Sequence, residues 1–149
     1  MAQSVRIEIN EGHKLYKYCD RLTKAAGALW NAALSRITHG AAMCGKRESV
    51  MTAAERRVWN ELMAVLPIIR SEPWFVVSPT VFLDSVFMND FLSALGCEEY
   101  VFPFLPRSSA RYIVKNAAAA VRSYRKALEA YEKSKKKPQI KPQPPKEAK

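Results

Sequence analysis

The sequence has few of the residues that metal, redox and nucleotide sites require. Its two histidines, His13 and His39, are too far apart for the i, i+4 spacing of a helical zinc site. Its three cysteines show no C-x-x-C spacing, which argues against a zinc ribbon and against a redox dithiol pair. Its five glycines form no phosphate-binding loop. We therefore expect no metal, no cofactor and no catalytic residue, and hence no enzyme activity.

Long apolar runs are also missing. No segment reaches the roughly 18 uncharged residues of a membrane-spanning helix, and the N-terminus has neither the basic nor the apolar region of a signal peptide. The 149 residues are 48% hydrophobic and 26% charged, which is the composition of one globular domain. We expect a cytoplasmic protein without a membrane partner.

Positive charge is in excess, and it is concentrated in one part of the chain. The formal net charge is +10. From Leu105 onward there are 13 lysines and arginines against three glutamates, whereas residues 1–104 hold 11 basic and 11 acidic residues. The C-terminal part thus carries the whole excess, which indicates a polyanionic partner. The alternative is a solvated helix face followed by a lysine-rich tail.

The stretch that begins at Leu105 has the period of a long amphipathic helix, predicted over residues 107–134. Apolar side chains recur on one arc, and four basic residues recur on the opposite arc. These four are Arg111, Lys115, Arg122 and Lys126. Beyond the helix, residues 135–149 contain four prolines and one large apolar residue, Ile140. We expect this segment to be a disordered basic tail.

The rest of the fold is predicted from shorter patterns. Alternating residues over 4–9 predict one short strand. Helical spacing predicts three more helices, near 13–38, 53–66 and 79–95. Gly40 is placed to end the first, Thr52 with Glu55 has the spacing of a capping box before the second, and Gly96 is placed to close the third.

The predicted fold class is therefore mainly α, a bundle of about four helices with one N-terminal strand and a disordered basic tail. The chain is divided into the strand region 1–11, a helical domain 12–134 and the tail 135–149.

The first predicted helix carries a second basic stripe. Its members, at helical spacing, are Lys14, Lys17, Arg21 and Lys24. Asn31 lies beside this arc, next to Trp30. Such an asparagine can contact a base or a sugar, or it can bond a buried backbone group. The sequence leaves both interpretations open.

Aromatic residues cluster between Trp74 and Phe104. This segment contains all six phenylalanines and no lysine or arginine. Platforms that stack bases interleave aromatic with basic residues, so core packing is the favoured interpretation. A contact surface for a protein partner is the alternative.

Two stretches resemble TnpB-type proteins, which are transposon-encoded, RNA-guided DNA nucleases related to the type V CRISPR effectors. One is LPRSSARYIVKNAAAAVRSYRKALEAYEKSKKKPQIKPQPPK, residues 105–146. It is similar to the family segment in which a helix with an FKAY-like end leads into a Lys/Pro stretch and then into the next domain. The other is ALWNAAL, residues 28–34, which is similar to the family's Y-N-x-A-L signature with Trp30 at the tyrosine position.

The resemblance implies the recognition part of such an effector without its catalytic part. In that family the acidic nuclease site and a zinc-binding segment lie downstream of the Lys/Pro stretch. The N-terminal strand would belong to a barrel whose other strands follow the helical region. The implied partners are RNA and/or DNA, with a separate nuclease chain or full-length homologue as a further partner.

The favoured function is therefore nucleic-acid binding through the backbone of guide RNA or of an RNA–DNA duplex. The alternative is a helical protein-interaction or regulatory module with no nucleic-acid partner. The residues expected to contact nucleic acid are Arg111, Lys115, Arg122, Lys126, Lys14, Lys17, Arg21, Lys24, Asn31, Lys135, Lys136 and Lys137.

Overall fold

The computed structural model describes residues 8–70, 72, 74–101, 105–134 and 141–148. Four α-helices are found in this part of the chain, and they are α1 (Tyr16–Met43), α2 (Ala53–Ile69), α3 (Ser85–Leu95) and α4 (Arg107–Lys133). Two short 3₁₀ segments, Glu48–Val50 and Pro79–Leu83, precede α2 and α3. The described residues contain no strand, so the mainly α prediction with four principal helices is confirmed there. The strand predicted at 4–9 falls almost wholly outside the described residues.

Helix α1 is the element against which most others pack. It contacts α4, α2 and the 3₁₀ helix Pro79–Leu83, while α3 packs against α2 and α4. Small residues allow this close approach, since Ala33 of α1 and Ala117 and Ala118 of α4 have no exposed surface. The apolar face of α4 between Ala110 and Val121 and the second half of α1, from Leu29 to Met43, thus form the core, whereas Leu15 and Tyr18 at the start of α1 are exposed.

The prediction that Gly40 ends the first helix is wrong, because α1 continues to Met43. Gly40 is buried, and its backbone is not among the positive-φ glycines, Gly45 and Gly96. A side chain there would collide with the ring of Phe82. The glycine is therefore needed for close packing, and the chain turns only at Gly45, whose φ is 80°.

Helix α2 begins as predicted and extends further. The Thr52 hydroxyl accepts the N–H of Glu55 at 3.1 Å, and the Glu55 carboxylate accepts the N–H of Thr52 at 3.0 Å, so the capping box is confirmed. The predicted end at residue 66 is three residues short, because Pro67 lies inside the last turn. A proline there removes one intrahelical bond, and the N–H of Arg70 still reaches the carbonyl of Leu66 at 2.8 Å.

The predicted helix 79–95 is divided into two elements. A 3₁₀ helix over Pro79–Leu83 is followed by α3, which begins at Ser85. Asp84 separates them in an extended conformation, and its carboxylate caps α3 by accepting the N–H of Val86 at 2.9 Å. At the other end Gly96 is left-handed, with φ 70°, as the predicted closing glycine requires.

The aromatic segment supplies the centre of the core. Phe82, Phe87 and Phe91 are buried, and Phe82 meets Phe87 edge to face with ring centroids 5.8 Å apart. Phe75 stacks on Phe87 at 5.9 Å. Core packing is therefore confirmed for the phenylalanines that the structure describes. Trp74 differs, since 77% of it is exposed.

Candidate nucleic-acid interface

The basic stripe of α4 lies on the exposed side of that helix. Arg111, Lys115, Arg122 and Lys126 are all exposed. The opposite side of the helix is buried, and its buried residues are Ala110, Val114, Ala117, Ala118 and Val121. The stripe therefore exists because packing of the alanine-rich face orients the basic residues outward.

These four side chains have few partners among the residues that the structure describes. None of the five ion pairs among the described residues involves any of them. Arg122 donates to the carbonyl of Leu83 at 3.3 Å, which ties it to the 3₁₀ helix. From Arg111 to Lys126 the helix rises about 22 Å, at roughly 1.5 Å per residue. Because a duplex carries one phosphate per roughly 1.7 Å of its axis, this length matches several phosphates.

The basic stripe of α1 has a different setting. Lys17, Arg21 and Lys24 are exposed on the first half of the helix, while Lys14 lies in the turn before it. Lys24 pairs with Asp20 at 3.0 Å.

The three helical residues of this stripe line an open groove of about 580 Å³, and Glu98 and Glu99 line it as well. Acidic side chains thus reduce the positive potential at this stripe. All residues that line the groove belong to α1 or to the turn after α3, so α4 and its stripe do not contribute to it.

The side chain of Asn31 is hydrogen-bonded to the C-terminal segment of the same chain. Its Nδ2 donates to the carbonyl of Ala148 at 3.0 Å, and its Oδ1 accepts the N–H of Ala148 at 2.7 Å. The neighbouring Trp30 donates its indole N–H to the carbonyl of Lys146 at 3.0 Å. Of the two interpretations left open by the sequence, the structure has the one in which Asn31 bonds backbone groups.

The C-terminal tail is described only in part. Lys135, Lys136 and Lys137 lie outside the described residues, so the structure does not place these predicted contacts. Residues 141–148 have neither helix nor strand, as their prolines require, but they contact α1 through Trp30 and Asn31. The disorder predicted for 135–149 was inferred from the composition of that segment. Composition alone could not indicate a contact with α1, which is distant in the sequence.

Two of the three cysteine thiols, those of Cys44 and Cys97, have the environment of structural residues. The Cys97 thiol donates to the Glu99 carboxylate at 3.1 Å, and burial raises the pKa of Cys97. The same bond holds the pKa of Glu99 below its usual value. Burial likewise raises the pKa of the Cys44 thiol. These thiols are therefore protonated at neutral pH, which makes them poor nucleophiles and poor metal ligands.

The sequence patterns missed two features of this surface. One is the position of Glu98 and Glu99, distant in the chain, along the same groove as the α1 stripe. The other is the role of Trp30 as a hydrogen-bond donor to the tail. The proline spacing of 141–148 was the available signal for the second, because prolines at i and i+3 share one face of an extended left-handed helix.

In the described part of the chain, no helix is both long and apolar enough to cross a bilayer. No cluster of three or more potential metal ligands occurs among the same residues. Comparison of the chain with protein-family models, with curated proteins and with solved structures found no match, so the resemblance to TnpB-type proteins remains an expectation from the sequence.

Proposed function

We propose that this chain binds nucleic acid through the phosphate backbone, with the exposed basic face of α4 as the main contact surface. The observation that supports the proposal most directly is the row of Arg111, Lys115 and Lys126, which are exposed and outside every ion pair of the described residues. Because the helix backbone is already ordered, a polyanion that binds these unpaired surface cations orders only their side chains.

The sequence resemblance suggests which kind of nucleic-acid-binding protein this would be. The chain would be the recognition part of a TnpB-like effector, in contact with guide RNA or an RNA–DNA duplex, and it would have no nuclease activity of its own. Incubation of the protein with Mg²⁺, guide RNA and matching DNA should leave the DNA intact. Cleavage that is lost on substitution of one carboxylate would contradict this form of the proposal.

The experiment compares two variants that lose the same charge. In one, Arg111, Lys115 and Lys126 are replaced by Gln; Arg122 is kept because it bonds the Leu83 carbonyl. In the matched control, the exposed Arg47, Arg56 and Arg57, which lie around the start of α2, are replaced by Gln. Arg56 donates to the carbonyl of Glu48 at 3.1 Å, but that bond is local in sequence, whereas the Arg122 bond joins α4 to a distant element. Both variants should keep the far-ultraviolet circular dichroism of the wild type, since all six side chains are exposed.

The readout is the affinity for double-stranded RNA and for an RNA–DNA hybrid, measured by fluorescence anisotropy at several salt concentrations. Each phosphate contact contributes roughly 0.7 to 0.9 to the slope of log K against log salt. We expect the α4 variant to lose about two units of slope and at least tenfold in affinity, whereas the control keeps nearly the wild-type values. Equal slopes in both variants would mean that only net charge matters and would contradict the proposed surface.

Protein binding is the second candidate function. Its basis is a group of exposed apolar side chains within the aromatic segment, with Trp74 77%, Val76 73% and Val86 62% exposed. Replacement of Trp74 and Val76 by Ser should leave nucleic-acid binding unchanged if α4 is the contact surface. Loss of nucleic-acid affinity in that variant would instead assign binding to the aromatic segment.

A further inference from the structure

The C-terminal segment 141–148 meets α1 at a compact site made of Gly27, Trp30 and Asn31. The Trp30 indole N–H reaches the backbone carbonyl of Lys146, and the Asn31 amide bonds both the N–H and the carbonyl of Ala148. All three bonds go to backbone atoms of the segment. The site therefore recognises extended backbone, since an asparagine amide reproduces the donor and acceptor pair of a neighbouring strand.

Gly27 allows the segment to come close. A Cβ atom at position 27 would lie 3.2 Å from the Cβ of Ala148, which is tighter than an ordinary van der Waals contact. The absence of a side chain at position 27 thus leaves room for the methyl group of Ala148 against α1. Gly27 lies in the middle of α1, where glycine normally lowers helix stability. Its role here is to make room for Ala148.

Exposure along the segment has a period of three. Pro142, Pro145 and Ala148 are partly buried, whereas the residues between them, Lys141, Gln143, Pro144, Lys146 and Glu147, are exposed. A polyproline II helix has three residues per turn, and its backbone makes no internal hydrogen bonds. Every third residue therefore faces the same side, and the carbonyls remain available to outside donors. Domains that bind proline-rich ligands commonly do so through their own aromatic side chains, which contact the preformed extended helix of the ligand.

We propose that Gly27, Trp30 and Asn31 form a binding site for polyproline II peptides of the pattern Pro-x-x-Pro-x-x-small, and that its occupant is the chain's own segment 141–148. The site selects a small residue at the last position because of Gly27, and it selects extended backbone because of Trp30 and Asn31. The two lysines of the segment are exposed when it is bound, so the docked tail keeps its positive charge in solvent.

The test measures backbone order in the full-length chain by ¹⁵N relaxation. We expect an order parameter at Ala148 of about 0.8, near the rigid-backbone value, and below about 0.6 once the site is removed. The variant is Asn31→Leu, which keeps the size of the side chain and loses both bonds. The matched control is Asn60→Leu on the exposed side of α2. A low order parameter at Ala148 in the wild type, or an unchanged one in Asn31→Leu, would overturn the proposal.

A second variant tests the class of ligand. Pro142→Gly together with Pro145→Gly removes the two apolar rings and their fixed φ, so the segment should leave the site and the Trp30 indole resonance should shift. Added peptide of the sequence KPQPPKEA should then restore the wild-type Trp30 shift, whereas KGQPGKEA should not. Millimolar peptide is needed, because a tethered segment acts at an effective concentration of about that order.

The same samples identify whether the occupant belongs to the same chain. An intramolecular contact keeps the Trp30 shift and the Ala148 order parameter constant on dilution, with a monomeric mass in sedimentation. A shift that disappears on dilution together with a dimeric mass would assign the segment to a second copy and overturn the proposed occupant. Failure of KPQPPKEA to restore the shift would overturn the proposed ligand class.

Discussion

Gly40 of α1 and Phe82 of the 3₁₀ helix meet with no space for a side chain between them. A Cβ atom at position 40 would lie 2.5 Å from Cδ1 of the Phe82 ring and 2.6 Å from Cε1. Phe82 has no exposed surface, so its ring cannot move into solvent without opening the core. This contact sets the distance between the two elements.

Replacement of Gly40 by Ala should therefore destabilise the protein. Alanine in place of glycine normally adds about 1 kcal/mol to helix stability. Overpacking at a filled site costs roughly 1–3 kcal/mol, so we expect a net loss in the free energy of unfolding measured with urea. In a Phe82→Leu background, which lacks the ring atoms, the same replacement should be less harmful or favourable. A stabilising Gly40→Ala in the wild type would contradict the contact.

The buried hydrogen bond between Tyr100 and Asn89 should contribute measurably to stability. The Tyr100 hydroxyl donates to Oδ1 of Asn89 at 2.9 Å, and the Asn89 amide donates to the carbonyl of Ser85 at 2.8 Å. Tyr100→Phe leaves Oδ1 buried without this donor, which should cost about 1–3 kcal/mol. Tyr112, which is 63% exposed, is the matched control, and Tyr112→Phe should change stability by less than about 0.5 kcal/mol. Equal effects of the two replacements would count against a role for the bond.

The ion pair between Arg36 of α1 and Glu61 of α2 should behave as a partly buried pair. Their side chains are 13% and 18% exposed, and Nη2 lies 2.9 Å from Oε2. Glu61→Leu leaves the Arg36 charge without its partner, and we expect a loss of about 1–3 kcal/mol, below the roughly 3–5 kcal/mol of fully buried pairs. The double variant Arg36→Met, Glu61→Leu should recover most of that loss, because no unpaired charge remains.

The exposed pair of Lys24 with Asp20 is the control for the variants of the Arg36 and Glu61 pair. Their side chains are 76% and 38% exposed. Pairs of this kind contribute about 0–1 kcal/mol, so Asp20→Leu should have a much smaller effect in the same urea titration. An equally large effect would mean that helix propensity or packing, and not charge burial, determines the result at Glu61.

Stability should fall in acid, in part because of Glu55. Its pKa is held below the usual value, first by the N–H of Thr52 and then by the ammonium group of Lys46, 3.0 Å from Oε2. A carboxyl with a lower pKa in the folded state stabilises the fold above its unfolded pKa, about 4.3. That stabilisation is lost as the pH falls through the folded pKa.

Glu55→Gln should therefore lower the urea midpoint at neutral pH and flatten its decrease below about pH 5, where the unfolded carboxyl begins to take up protons. The carboxylates of Glu99 and Glu129, whose pKa values are also lowered, will retain part of the pH dependence. Glu132→Gln, at an exposed position on α4, is the control and should keep the wild-type profile. A Glu55→Gln profile parallel to that of the wild type would contradict the predicted linkage.

Local patterns in the sequence were sufficient for the elements whose determinants lie within a few residues. The Thr52 and Glu55 box began α2, the left-handed Gly96 ended α3, and the basic arc of α4 is exposed where its period placed it. Each of these depends on contacts within one or two helical turns, and such contacts are encoded in the spacing of the residues themselves.

Tertiary contacts decided the features that depend on distant parts of the chain. Position 40 lies inside α1 and is a glycine because the Phe82 ring fills the space that a side chain would need. Asn31 bonds the backbone of Ala148, 117 positions away. The α1 stripe faces Glu98 and Glu99 for the same reason, since chain topology and not sequence proximity brings those carboxylates to it. By itself, the sequence determined the number of principal helices, the apolar face of α4 and the concentration of positive charge. Packing determined which polar groups are bonded within the fold and which stay exposed, because a residue's neighbours across the core do not appear in its local pattern.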